Sequence, residues 1–437
     1  HHDYDEHANE IFKLLEAGEN KKAIVLEENF EKEAEQLVHE LEELLFEVEQ
    51  FTTLAALTAE QHEIFALRER GYTVHALSIH EPDHTSPKVK ENMGFVHYLY
   101  REGLGCFLIS FLLCLFSHPL RTLSGFGWLV SDFFYVGVTD FRSYKLIYQY
   151  LAGCRAARVC LKNGTEHIHV HFANVPCQVA MYASAISNIP FTVTSHANDI
   201  FEHGLVLTRK AERAKYFVTI SDFNRKFLRE IGMLDNQIRI VRCGVDLKFQ
   251  GVAKKDSNSI RICSLGRLVV KKGMPTLIEA VAILKQRGVL VSLSIAGDGP
   301  ELDNIIAKIH ELDVEDCVEL VGALDNAEVG PWMSKHDIFA LACQKDSNGD
   351  MDGIPVVLME AMMLGVSVIT TRISGIPELV MDGKTGLLVE PEDPVALADA
   401  IEQRKLQSSL IENAADHVVA EFGRDVNINR LEHLFNE

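Results

Sequence analysis

Two cations and one isolated carboxylate carry the clearest chemistry in the sequence. In SLGRLVVKKG, Arg267 directly follows a β-rich run and Lys272 comes five residues later, with Gly266 and Gly273 flanking them. The carboxyl end of a strand in an open α/β sheet is where ligands bind. A planar guanidinium fork beside a point-charge ammonium suits a diphosphate. Further along, Gly353 and Pro355 of DGIPVVLMEAMMLG read as a helix start, whose unpaired N–H groups form an anion site. The helix over 354–364 is apolar nearly all round and should be buried, with Glu360 as its only charge. A carboxylate there is costly unless a donor meets it. A ribose hydroxyl pair is an apt donor, and a protein backbone or basic group is the alternative.

The elements that must position these groups follow an α/β alternation. A helix ends at ALRERG with Gly71 as its C-cap, and the strand candidate YTVHALSI follows. HIHVHFA, IPFTVTSH, AKYFVTIS and IRIVRCG are short β-rich runs separated by helical or loop-like stretches. KFQGVAKKDSNS (248–259) is polar and marks a domain boundary. The alternation then restarts with IRICSLG, VSLSIAG, CVELVG, DIFALAC, VSVITT and GLLVE, with helices over 274–287, 300–311 and 326–335, that over 354–364 and one from Pro394. Val/Ile-rich strands with little alternation imply sheets covered on both faces. Two consecutive doubly wound α/β domains are expected.

Composition narrows the function classes. Of 437 residues, 47% are hydrophobic and 24% charged, which suits folded domains and excludes general disorder. The formal charge of −21 argues against a broad nucleic-acid grip. Residues 1–50 hold 16 Asp/Glu against 4 Lys/Arg, and 1–43 read as an acidic helical extension, solvated or partner-binding. Nine scattered cysteines without a C-x-x-C pair fit a reducing cytosol better than a disulfide framework or a zinc ribbon, and no signal peptide is visible. From Gly103 to Leu120 the chain is apolar, and FGWLVSDFFYVGV follows. A buried or surface-docking helical pair is the leading expectation, ahead of an interfacial membrane contact and of a true span.

With these motifs in place, the chain resembles a known family. GRLVVKKG, AGDGPE, DGIPVVLMEAM, SGIPELV and DGKTGLLVEP are similar to the donor half of family-4 retaining glycosyltransferases, which have the two-Rossmann-domain GT-B fold. HIHVHFAN, IPFTVTSHANDIF, VTISDFNRKFL and VRCGVD resemble the acceptor half of the subgroup that builds bacterial exopolysaccharides of the colanic-acid kind. The resemblance runs from about Leu44 to about Gln403. It implies an acceptor domain over 44–250, a nucleotide-sugar donor domain over 258–405, and a helical segment over 406–437 packing back on the acceptor domain.

The resemblance also implies roles by position. Arg267 and Lys272 would hold the nucleotide diphosphate, beside Gly353. Asp352 and Glu360 match the family's paired acids, the first against the donor sugar and the second on the ribose. His196, ending IPFTVTSH, matches the active-site histidine beside donor sugar and phosphate. No metal, cofactor or covalent nucleophile is implied, since fixed cations and helix N–H groups can stabilise a leaving diphosphate. Two departures stand out. Asp352 replaces the usual Glu, shortening its reach by one methylene. The family's F-P-x-L-S-E-T-F loop is here FTTLAALTAEQHEIFAL, with Thr52 in place of its Pro and apolar Ala56 and Leu57 in place of its polar groups, which weakens the acceptor side.

Other patterns compete less well. Asp350-Met351-Asp352 spells D-x-D, a metal-diphosphate motif of a different fold, and the surrounding residues fit an EF-hand in neither register. His167, His169 and His171 share one face of a strand and could bind zinc. The stronger reading takes the strand's end, His171 and Asn174, into the interdomain cleft as acceptor-side residues. The leading function is a metal-independent retaining transferase, moving sugar from a nucleotide donor to a lipid-linked or polysaccharide acceptor. Its place is the cytoplasm, with 103–138 allowing peripheral contact at the inner membrane face. A GT-B-fold epimerase, and a silent relative that binds nucleotide sugar or a protein partner, are the alternatives.

Overall fold

The computed structural model describes residues 63–80, 96–201, 205–246, 248–249, 259–403 and 408–437. The expected acidic helix over 1–43, the strand LLFEVE and the altered loop lie outside these residues.

The first lobe opens with a helix over 63–69, closed by Gly71 at φ 93°. Only β1 (Leu77–Ser78) of the YTVHALSI run forms a ladder, pairing in parallel with β2 (His97–Tyr98). Tyr72 and Val74, just before it, pack on Ala66, Leu67 and Ile428, so the run is extended but largely unladdered. A four-stranded parallel sheet follows in the order β3 (Ile168–His171), β4 (Phe191–Ser195), β5 (Tyr216–Thr219) and β6 (Ile238–Ile240). All five residues of β4 are buried, as a strand covered on both faces requires.

Helices Gly103–Ser117 and Pro119–Val136 form the apolar pair and dock on helix Phe141–Lys162, which packs on Val175–Ser187. A Cβ at Gly153 would lie 2.8 Å from Tyr182 Cβ, so only glycine permits that last approach. The pair is pinned by polar groups. Asp132, fully buried, meets Arg213 at 2.6 and 2.9 Å and accepts from Tyr182 Oη at 3.0 Å. Tyr150 Oη donates to the Thr122 carbonyl. Its outer face stays bare, with Phe116 and Leu120 more than four-fifths exposed. Among the described residues, one stretch, Tyr100–Ser117, is long and apolar enough to cross a membrane.

The second lobe is one six-stranded parallel sheet built from β7 (Ile260–Leu265), β8 (Val291–Ala296), β9 (Val318–Gly322), β10 (Ile338–Leu341), β11 (Ser367–Thr371) and β12 (Leu387–Val389). Its order is β12-β11-β10-β7-β8-β9, the doubly wound arrangement with its reversal between β7 and β10. Helices Met274–Gln286, Leu302–Glu311, Asn326–Met333, Val356–Met363 and Pro394–Glu402 cover it. Their starts carry local signals: Asp325 and Glu328 form a capping box, and Asp393 Oδ1 accepts from the Ala396 amide at 2.9 Å ahead of Pro394.

The final helices divide between the lobes. Ser408–Phe422 adds Ala414, Ala415, Val418 and Phe422 to the second core. Arg424–Asn436 puts Leu431 and Leu434 against Val218 and Val241 of the first lobe. Backbone bonds from the Val245 amide to the Phe422 carbonyl and from the Arg424 amide to the Val245 carbonyl tie the crossover.

Candidate active site

The reversal of strand order between β7 and β10 opens a crevice at their carboxyl ends, and the segments leaving those strands line it. The β7 segment carries Arg267 and Lys272; the β10 segment runs from Ala342 to Gly353. Glycines let these segments touch. Gly273 has φ 64°, and a Cβ there would sit 1.8 Å from the Ala342 carbonyl oxygen. A Cβ on Gly297 would fall 1.9 Å from the Gly266 carbonyl oxygen. The Lys272 side chain lies along Gly266, within 3.3 Å of where a Cβ would be.

Charges are tightly arranged here. Lys272 Nζ lies 2.6 Å from Asp352 Oδ2, and Lys271 Nζ lies 2.6 Å from Asp350 Oδ2 and 3.7 Å from Asp352 Oδ1. Burial opposes charge on Lys272 and Asp352, but the pairing outweighs it, raising the lysine and lowering the carboxyl. Burial alone lowers Arg267 from its ordinary value. Both carboxylates of the D-x-D tripeptide are thus turned toward lysines.

Glu360 differs. It sits on helix Val356–Met363 among Leu358, Met359, Ala361, Met362 and Met363, all buried. Burial raises its carboxyl, and among the described residues no hydrogen-bond donor reaches it. Glu360 is half-buried, so water or ligand hydroxyls take the place that backbone or a basic side chain would have filled. The helix begins at Val356, with Pro355 as its N-cap and Gly353 just ahead.

The first lobe supplies imidazoles. His169 and His171 project from one face of β3, and His196 immediately follows β4. His171 Nε2 lies 3.1 Å from Glu63 Oε1, and His169 Nε2 lies 3.6 Å from the same oxygen. His169 also meets Thr192 Oγ1 at 2.7 Å and Thr194 Oγ1 at 3.1 Å. The His171 and His196 rings are near parallel, 6.1 Å between centroids and 24° apart. Burial, then the charge of His171, pushes His196 down to about 3 against the pull of Glu63, so its ring is neutral at physiological pH. Phe172, between β3 and Asn174, holds φ 67°, a strained conformation for a bulky residue, and its ring packs 4.7 Å from His196.

A buried network holds the two strand-end turns together. Asp199 accepts from the Ala173 amide at 2.6 Å and the His196 amide at 2.8 Å. Fully buried Lys210 donates to the Ala173 carbonyl. Burial raises Asp199 to about 6 and lowers Lys210 to about 8.

The lobes meet at the same place. A Cβ on Gly353 would lie 2.9 Å from Ile220 Cδ1 and 3.5 Å from Ala197 Cβ, so the Asp352–Gly353 turn abuts the residue after His196. Glu378 accepts from the Asp222 and Phe223 amides at 3.0 and 2.9 Å, capping helix Asp222–Glu230 across the interface, and pairs with Arg242 at 2.6 Å.

The structure therefore places Arg267, Lys272, Asp352, Gly353 and Glu360 on segments and a helix that border one crevice, and His171, Asn174 and His196 on neighbouring strand ends across from them. Asn174 Oδ1 is buried without a hydrogen-bond partner among the described residues, as is His196 Nε2. Sequence reasoning missed Lys271, Glu378 and Glu63. The signal for Glu63 was available: it falls three and four residues before Ala66 and Leu67, and so on the buried face of its helix.

Two open α/β lobes with a cation-lined crevice at a switch point define the class of nucleotide-binding two-lobed transferases. The profile described as Glycosyltransferase Family 4 matches residues 61–249, and that described as Glycosyl transferases group 1 matches 247–417. Together they account for most of the sequence, and the chain belongs to this glycosyltransferase family, of GT-B fold. The Escherichia coli (strain K12) protein WcaL, assigned to colanic acid biosynthesis as a glycosyltransferase, is 36% identical over 227 residues, 52% of this chain and 54% of the relative. The amylovoran biosynthesis glycosyltransferase AmsK of Erwinia amylovora is 34% identical over 211 residues, 46% of this chain and 52% of its own. The matched part of the chain thus spans about half the length of these curated relatives. In fold, it is similar to Anabaena HepE, solved with UDP, at TM-score 0.57 and 19% identity over 65% of this chain and 82% of that one.

Proposed function

We propose that the protein moves a sugar from a nucleotide diphosphate sugar to a polysaccharide or lipid-linked acceptor, with retention and without metal. The observation that carries this is Glu360, a half-buried carboxylate without a protein donor among the described residues, on a helix bordering the crevice where Arg267 and Lys272 stand. A ribose satisfies the first and a diphosphate the other two. In this reading the bond between the sugar's anomeric carbon and the phosphate oxygen breaks as the acceptor oxygen bonds that carbon from the same face. The acceptor proton passes to the departing phosphate. Arg267, Lys272 and the amides at the start of helix Val356–Met363 stabilise the charge that develops there. Asp352 lies against the sugar, and His196 faces it from the other lobe, with His171 and Asn174 toward the acceptor.

The helical pair supports work at the inner face of a membrane. Ile109, Phe116, Leu120, Leu123 and Phe134 are each more than half exposed on this helical pair, more apolar surface than a freely dissolved protein needs. Lipid-linked acceptors would be met there.

The test is calorimetric titration with UDP, GDP, UDP-glucose, UDP-galactose and GDP-mannose in EDTA, followed by assay of released sugar. One nucleotide family should bind without metal, with slow donor hydrolysis that membrane lipid extract converts to transfer. Binding with no turnover even with extract identifies a silent relative, and binding that requires a divalent ion overturns the metal-free reading.

A further inference from the structure

Glu63 has no assigned role, yet it sits at the centre of the imidazole cluster. A carboxylate is a good acceptor and, when ionised, cannot donate. The Glu63 carboxyl is held at about 2: burial would raise it, but the charge and hydrogen bond of His171, then His169 and His196, prevail. The 3.1 Å contact therefore requires a proton on His171 Nε2 in either charge state, and in the neutral ring Nδ1 is then the atom that can accept. The same oxygen lies near His169, whose ring is already fixed by Thr192 and Thr194 from β4. Of the two histidines on β3, His171 is the one whose ring lies parallel to that of His196.

We propose that Glu63 is a positioning residue for the transfer: its carboxylate fixes which nitrogen of His171 carries the proton and holds that ring parallel to His196, setting the acceptor wall of the cleft. This rests on the transfer reading above. Glu63 comes from the helix over 63–69 and works through His171. Its effect falls on turnover, because neither it nor His171 belongs to the segments that hold the nucleotide. Orientation of a ring by a buried carboxylate is a large lever on catalysis when the tautomer matters.

The experiment uses the full chain with ¹⁵N-labelled histidine, compared with Glu63→Ala and Glu63→Gln. In the parent, at a pH high enough to discharge the ring, His171 should show a single Nε2–H tautomer, and Glu63→Ala should give a mixture. With a donor and lipid extract, Glu63→Ala should lower kcat by about tenfold or more while donor KM stays within about twofold. Glu63→Gln, whose amide oxygen can accept the same bond, should restore the tautomer and at least about a third of kcat. Unchanged heat of nucleotide binding confirms that both variants are folded. An identical His171 spectrum in parent and Glu63→Ala, or equal kcat in all three proteins, overturns the proposal. So does stoichiometric zinc that the parent retains and Glu63→Gln loses, because the carboxylate is then a metal ligand. If the parent turns over no donor while the spectra behave as expected, the transfer reading fails and the tautomer assignment stands.

Discussion

The two lobes solve opposite problems with the same α/β layering. The second lobe buries a largely apolar core, with Ile338–Leu341 and Leu358–Met359 wholly enclosed, and pairs its buried carboxylates Asp337 and Asp350 with Arg261 and Lys271. The first lobe buries Asp132, Asp199 and Lys210, sets half-buried His169, His171 and His196 at its strand ends, and leaves an apolar helical face outside. Under the proposed transfer, a nucleotide diphosphate always presents the same charges, which suits a lobe whose cations stand on a rigid apolar core. Acceptors differ in size and polarity, and the lobe proposed to face them holds its strand-end turns through internal polar networks.

Removing the cradle should have the largest effect. The double substitution Arg267→Ala and Lys272→Ala should cost about 5 kcal/mol of transition-state stabilisation, more than about a thousandfold in kcat/KM, with nucleotide heat lost in calorimetry. Survival of binding would show that the cations belong to the fold alone. In the first lobe, Asp132→Ala strands Arg213, which is only 10% exposed, and should lower stability by about 3 kcal/mol in urea unfolding. A change below about 0.5 kcal/mol would mean that packing alone holds the helical pair.

Between the lobes, Glu378→Ala removes a helix cap and the pairing with Arg242. It should cost about 1–2 kcal/mol, read as a lower Tm and separated unfolding of the lobes in calorimetry.

Glu360→Gln sharpens the contrast most finely, since it should act in two directions. Burial raises this carboxyl, so the folded protein binds its proton more tightly than the unfolded chain does. Its ionisation then opposes folding at neutral pH, and stability rises as pH falls through the folded value. The variant should melt higher at pH 7 yet bind nucleotide about tenfold more weakly, having lost one charge-assisted bond to ribose. Weaker binding with lower Tm would place Glu360 in a structural role.

The same contrast explains what the sequence could reveal. Arg267, Lys272, Asp352 and Glu360 lie in short contiguous motifs whose spacing reflects local turns and one helix, so they are readable residue by residue. The Glu63–His171 contact joins residues 108 apart, and local periodicity reaches only as far as saying that Glu63 faces inward. Helix Gly103–Ser117 is apolar nearly all round, so composition predicts its helicity but not which face docks. Only Phe107, Ser110 and Cys114 are buried, on one i, i+3, i+7 stripe. Helix ends shifted by one or two residues, as at Val356, because caps depend on neighbours that spacing does not encode.

The Lys272–Asp352 pair gives the crevice a coincidence requirement. Until a ligand arrives, the lysine's charge is already answered within the protein, and a phosphate must displace a carboxylate to reach it. Under the proposed transfer, a complete nucleotide sugar would compensate both parties at once, giving phosphate to Lys272 and hydroxyls to Asp352. Once the sugar had moved on, the remaining diphosphate would still engage the cation but leave Asp352 without a donor. The carboxylate would then compete for its old partner, and departure of the spent nucleotide would be promoted from within the site.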